Sequence, residues 1–371
     1  MSKLITNLKE KLSKKIPIEK NLKKLISTSP PPIDSYFEFA LLELYEFDNV
    51  DLSSSHVIRA YSNGFTSRLY KICGLEDKKD ITKYLSKFDR LHYSRFINEY
   101  SNILNDKKKF YEFMFNHGLK NYLPELFGYV EEGTFTGKKD IIYHLQNENK
   151  IVLKPCLGSG GCGVYICTLD ERYVFLNGVK RDLKEFRSLL NNLEKKYMVT
   201  EFCEQASFLD NLYSSSNNTM RIWTLYPGNG SPFIPIAVLR IGTEKSGFLD
   251  NLDQGGLTAL IDLETGELSK GAQIKSSGKV KWHEKHPDTS AKIEGSVIPN
   301  WKSIKCELLS LVKKLPECKY VGWDLLLKEN DGDFVIIEGN NRPGLKSVQV
   351  HKPLLEDPRV RKFFRENGIP V

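Results

Sequence analysis

The chain has 371 residues, 40% hydrophobic and 27% charged, a balance expected of a soluble globular protein with two or three packed subdomains. Its net charge of +7 is uneven, since residues 1–35 hold eight lysines against Glu10, Glu19 and Asp34. The nearly neutral remainder speaks against a nucleic-acid surface, and no apolar run approaches the roughly 20 residues of a spanning helix.

Seven cysteines, odd in number and without a CxxC pair, and no visible secretory signal predict free thiols in a reducing cytoplasm and no zinc cluster. Residues 1–35 carry apolar side chains at helical spacing between lysines, broken near Pro17 and closed by "STSPPPIDS". Such a segment either packs on its own domain or lies on an anionic membrane surface. Residues 36–120 read as a helical domain, ending in a helix capped at Asn105 or Asp106 and stopped at Gly118. A strand is expected near 126–131. Further strands are predicted at 150–155, 163–169, 172–176, 197–203, 218–226, 233–241, 257–263, 267–274, 318–328 and 333–338. Helices are expected at 181–195, 300–314 and the tail. The loops at 205–217 and 275–300 carry no readable pattern, and His283 and His286 are expected at the surface or on a substrate lid.

"IVLKPCLGSGGCGV", residues 151–164, places Lys154 before a glycine-rich loop. Gly158, Gly160 and Gly163 match G-x-G-x-x-G, but "VYICTL" follows as a strand, so no helix receives a pyrophosphate. GK[ST], HRD and DFG are absent, which excludes Walker and protein-kinase loops. What remains is a hairpin loop between antiparallel strands, able to fold over phosphates. Cys162 within it has no partner base and is not read as a nucleophile. In "YVGWDLLLKENDGDFVIIEGNNRPG", Asp324 lies on one strand, and Glu338 and Asn340 lie two apart on the next. Two carboxylates and an amide oxygen suit Mg²⁺, which also takes phosphate oxygens. Arg221 alternates with Met220 and Ile222, so it faces either phosphate or an internal acid.

Over residues 105–350 these motifs resemble the ATP-grasp superfamily, and "NNTMRIWTL", "HPDTSAKIEGSVIPNW" and "EGNNRPG" resemble its sugar-transfer-associated branch, linked with surface-polysaccharide assembly. The resemblance implies an α/β (α+β) ATP-grasp fold: a lid subdomain at 121–203 and a metal-bearing subdomain at 204–371, with nucleotide between them. It implies ATP and Mg²⁺ (or Mn²⁺) as cofactors. Lys107 is the matching first nucleotide lysine, with Lys108 and Lys109 adjacent, and Lys154 the second. Gly158, Ser159, Gly160, Gly161 and Gly163 form the phosphate loop. Glu201, Phe202 and Cys203 read adenine, and Glu204 approaches the ribose. Asn251 in "FLDNLDQGG" belongs to the stretch of amide-forming members, and Arg221, Asn251 and Lys154 serve catalysis. Asp324, Glu338 and Asn340 hold metal. The implied activity joins a small-molecule carboxylate to an amine through an acyl-phosphate, releasing ADP. The alternatives are a kinase of the same fold and a non-catalytic nucleotide-binding partner of a glycosyltransferase assembly, docked through the basic N-terminus at the inner membrane face.

Overall fold

After residue 120 the chain forms two seven-stranded sheets, with antiparallel neighbours throughout. The computed structural model describes residues 33–46, 50–99, 101–158, 160–228 and 230–371; most of the basic N-terminal segment and Ser159 lie outside the described residues. The first sheet contains β1 (Leu126–Glu131), β2 (Thr134–Gly137), β3 (Lys150–Pro155), β4 (Tyr165–Asp170), β5 (Tyr173–Leu176), β6 (Val179–Asp182) and β7 (Tyr197–Glu201). Its spatial order is β2-β1-β7-β3-β4-β5-β6. The second contains β8 (Met220–Leu225), β9 (Ala237–Ile241), β10 (Leu257–Ile261), β11 (Leu268–Ile274), β12 (Val280–His283), β13 (Tyr320–Leu327) and β14 (Phe334–Asn341), in the order β12-β11-β10-β9-β8-β13-β14.

The described α-helices of five residues or more are α1 (Ile33–Glu46), α2 (Ser54–Ser62), α3 (Ser67–Ile72), α4 (Lys87–His92), α5 (Ser101–Asn105), α6 (Lys107–Asn116), α7 (Ile141–Glu148), α8 (Leu183–Asn191), α9 (Ser207–Leu212), α10 (Trp301–Val312) and α11 (Pro358–Glu366). Strand alternation sends β8 side chains to opposite faces of the second sheet. Met220 and Ile222 join one apolar cluster with α6 and α10 through Met114, Phe110, Ile304 and Leu308. Trp223 and Leu225 join another with Tyr70, Leu85, Phe363 and Phe364. The helices of residues 54–97 therefore share a core with the second sheet and with α11. Phe186, Val199, Leu153 and Ile141 fill the interior of the first sheet.

His286 departs from expectation. It is 1% exposed, stacked on Tyr213, with Nε2 2.7 Å from Gly242 O and Nδ1 accepting from the Asp288 and Thr289 amides. With the proton on Nε2, the ring ties the Gly242 carbonyl to the 288–289 backbone and serves that loop as a structural group. His283 is also buried. Among the described residues no helix is long and apolar enough to cross a membrane.

Candidate active site

A cleft of about 400 Å³ lies between the sheets. Its first wall begins at α6. Asp106 caps that helix, accepting from the Lys108 and Lys109 amides. The Lys107 amide donates to Cys156 O at the end of β3, so Lys107 is held beside Lys154 by backbone rather than by chance of rotamer. Lys107 Nζ donates to Gly158 O at 2.9 Å and stands 3.5 Å from Glu338. Lys108 turns away to Glu112 and over the Tyr129 ring, so of the three adjacent lysines Lys107 is the one lining the cleft. Lys154 lines it too, 9% exposed. Burial, then the like charge of Lys107, pull its ammonium down to about 8.

The glycine loop joins β3 to β4, which pair antiparallel from Lys150↔Thr168 to Leu153↔Tyr165, as the hairpin reading requires. Gly158, Gly160 and Gly161 line the cleft. Gly161 has φ +77, and a Cβ there would meet Leu249 Cδ1 at 2.5 Å. The loop is tied across the cleft on both flanks: Lys107 holds Gly158 O, and Asn251 Nδ2 donates to Gly160 O at 3.0 Å. Asn251, expected at the chemistry, here latches the lid. Gly163 lies outside the lining; a Cβ there would come within 2.9 Å of Tyr197 Oη, which is a packing reason for its glycine.

At the far end Glu201, Phe202 and Cys203 line the cleft. The Glu201 carboxylate accepts from the Glu125 amide at 2.8 Å, which fixes the turn from β7 rather than freeing that carboxylate. Glu204, expected near the ribose, does not line the cleft: its side chain is 76% exposed and pairs with Lys150 at 3.4 Å.

The acids sit where the register puts them. Arg221 on β8 faces Asp324 on β13, which faces Glu338 on β14, so all three share one face of the second sheet. Arg221 binds both oxygens of Asp324 through Nε and Nη2. Arg240 reaches the same carboxylate at 3.1 Å and Asp250 at 2.6 Å. Burial would raise the Asp324 carboxyl, but Arg221 and then Arg240 outweigh it and hold it below the ordinary value. Arg221, of the two partners left open, has the internal acid rather than an unpaired outlook onto phosphate. Asn340 Nδ2 donates to Gly322 O at 3.1 Å, which leaves its amide oxygen unengaged. Glu338 and the Asn340 amide oxygen, beside an Asp324 carboxylate whose two oxygens already accept from Arg221 and Arg240, form a hard-oxygen set on adjacent strands that fits Mg²⁺. Among the described residues no group of three or more His, Cys, Asp or Glu suits a metal ion, so any such site depends on the amide.

Residues 89–361 match the family model described as sugar-transfer associated ATP-grasp. The chain belongs to this ATP-grasp family. No curated protein matches the sequence. Solved structures similar to it include an L-amino acid ligase from Bacillus licheniformis, 14% identical over 71% of this chain and 43% of that one, with TM-score 0.35. Another is N5-carboxyaminoimidazole synthetase from Staphylococcus aureus complexed with ADP, 10% identical over 70% and 53%, TM-score 0.38. The chain spans about half the length of these two. D-alanine–D-alanine ligase from Bacillus anthracis is 13% identical over 89% of this chain and 94% of that one, TM-score 0.38.

Sequence reading of the ATP-grasp motifs missed Arg240, Asp250 and Lys346, which also line the cleft. Arg240 stands two residues from Val238, the partner of Arg221 across β8 and β9. A strand alternation count on "IAVLRIG" would have placed it on the Arg221 face.

Proposed function

We propose that this ATP-grasp chain is an ATP-dependent carboxylate–amine ligase. The observation that carries the reading is the convergence of Lys107, Lys154, the glycine loop and the Asp324–Glu338–Asn340 set on one cleft. ATP lies with its base toward Glu201–Cys203 and its phosphates under the loop, where Lys107 and Lys154 offset their charge. Asp324, Glu338 and Asn340 would hold Mg²⁺, which would supply Lewis-acid polarisation of the phosphate oxygens. A substrate carboxylate oxygen attacks the γ-phosphorus, the bond to the β–γ bridging oxygen breaks, and ADP leaves with an acyl-phosphate formed. An amine then attacks the acyl carbon, loses a proton, and phosphate departs. Arg221 and Arg240, paired with Asp324 and Asp250, hold those carboxylates in fixed orientation beside the transferring group. The closed loop excludes water, which protects the acyl-phosphate.

The family description, sugar-transfer associated, supports a place in surface-polysaccharide or related biosynthesis; within it we take the acid to be a sugar or amino-acid carboxylate and the amine an amino acid or amino sugar. The chain then works in the cytoplasm or at the inner membrane face. The test is a screen of Mg-ATP turnover against paired uronic acids, amino acids and amino sugars. ADP and phosphate formed only when an acid and an amine are both present support the reading; AMP and pyrophosphate overturn it.

A further inference from the structure

The turn that latches the glycine loop is itself held from the helical region. Asn251 caps a single turn, residues 252–254. Its side-chain amide is engaged at both ends: Oδ1 accepts from the Asp253 amide at 2.9 Å, and Nδ2 donates to Gly160 O at 3.0 Å. A carboxamide carries its acceptor and donors in one plane, so fixing one end aims the other. Leu249, two residues earlier, stands against Gly161, where a Cβ would meet it at 2.5 Å. The loop therefore closes on residues 249–251, and the aim of the Asn251 amide depends on what holds Asp253.

Two cations from distant parts of the chain grip the Asp253 carboxylate. Lys346, beyond β14, reaches its two oxygens at 2.6 and 2.8 Å. Arg68, on α3, stands 3.2 Å from it. Burial would raise the Asp253 carboxyl, but Lys346, then Arg68, outweigh it and hold it below the ordinary value. Arg68 is placed in turn by α1. Glu43 accepts from the Ser67 amide at 2.8 Å, and Glu46 accepts from Thr66 Oγ1 at 3.2 Å, so α1 fixes the first turn of α3. Glu46 also lies 3.4 Å from Lys346 and 3.9 Å from Arg68. Glu46, Arg68, Asp253 and Lys346 thus form one network of alternating charge, and networks hold geometry that a lone surface pair does not. Glu46 and Arg68 precede the span 89–361 that matches the family model, so this end of the network lies outside the matched ATP-grasp region.

We propose that Arg68 is a positioning residue for the glycine loop: backed by Glu46, it sets Asp253, Asp253 sets the Asn251 amide, and that amide sets how tightly the loop closes. The helical region then governs the lid without touching nucleotide. The effect on nucleotide affinity rests on the nucleotide reading of the cleft; the effect on the empty loop does not.

The test is a double-variant cycle on the full chain: wild type, Arg68→Gln, Asn251→Ala and the two combined, with Arg68→Lys as the conservative variant. Hydrogen exchange of residues 157–164 is read without nucleotide, and Mg-ADP affinity by calorimetry. Arg68→Gln should speed exchange in 157–164 about three- to tenfold and weaken Mg-ADP to a similar degree, the scale of one net hydrogen bond. Arg68→Lys, which keeps the charge, should recover most of both. The deciding result is non-additivity: with Asn251→Ala already present, Arg68→Gln should change either readout by less than about twofold. A merely structural role would act equally in both backgrounds. If Arg68→Gln does not fold, Asp253→Asn, which keeps the shape of that side chain, takes its place in the cycle. Unchanged exchange in 157–164, or the same acceleration with and without Asn251, overturns the proposal. Failure of the nucleotide reading is seen separately, as no binding of Mg-ADP to wild type, and the exchange cycle still decides the positioning role.

Discussion

Replacing Lys154 by methionine separates a residue kept for binding from one kept for folding. Lys154 is 9% exposed, and burial with the neighbouring Lys107 charge brings its ammonium from 10.5 to about 8. At about 1.4 kcal/mol per pH unit, the folded chain disfavours that charge by roughly 3 kcal/mol. Methionine keeps the unbranched stem, one atom shorter, and removes the charge, so Lys154→Met should be more stable by about 2–3 kcal/mol at pH 7. Its affinity for Mg-ADP should fall at least about tenfold, the scale of one lost charge-assisted bond. The sign with pH is fixed. Between about 8 and 10.5 the unfolded chain still holds the proton that the folded chain has released, so wild-type stability gains from this group as pH rises. The gap between the two proteins should therefore close over that window. Urea unfolding at pH 7 and 10, with calorimetric titration of Mg-ADP, measures each quantity. A Lys154→Met protein that is less stable at pH 7, with unchanged nucleotide affinity, refutes the reasoning.

The two carboxylates should part company on substitution. Asp324→Asn leaves Arg221 and Arg240 buried with less compensation and should cost about 3–5 kcal/mol in chemical unfolding, whereas Glu338→Gln, 26% exposed, should change stability by less than about 1 kcal/mol while weakening Mn²⁺ binding to the nucleotide complex, read by electron paramagnetic resonance. Asn251→Ala removes the bond to Gly160 O and should weaken Mg-ADP binding by up to about tenfold, with faster proteolysis in residues 156–164. His351, driven down to about 4 by burial despite a Thr258 backbone hydrogen bond, should withdraw roughly 3 kcal/mol of stability as pH falls from 6.5 to about 4; His351→Leu should lack that acid-side loss.

The strands around the site were legible because their side chains alternate or are apolar nearly throughout: every residue of β13 is buried, with Asp324 its one charged side chain. The helix at Lys107 was legible from its Asp106 cap and Gly118 stop. β6, "VKRD", was not, because all four residues are exposed and no hydrophobic period marks an edge. The 205–217 loop hid α9 because polar side chains organise it: Gln205 Nε2 donates to Asp210, Tyr213 O and Ser216 O, and Asn218 Nδ2 donates to Leu209 O and Tyr213 O. Such hubs have no period. The acids and lysines of the cleft were readable as residue types at motif spacing, but partners were not. That Arg221 lies on Asp324, and Asn251 on Gly160 O, follows from strand register and from how the sheets face, which no local stretch records.

The most direct test of an acyl-phosphate is interception. The chain is incubated with Mg-ATP, each candidate carboxylate and hydroxylamine, and the products are read by mass spectrometry. The ligase account predicts a hydroxamate of one acid, formed with ADP and phosphate in equal amounts. A stable phosphorylated hydroxyl product with no hydroxamate, or AMP with pyrophosphate, contradicts it.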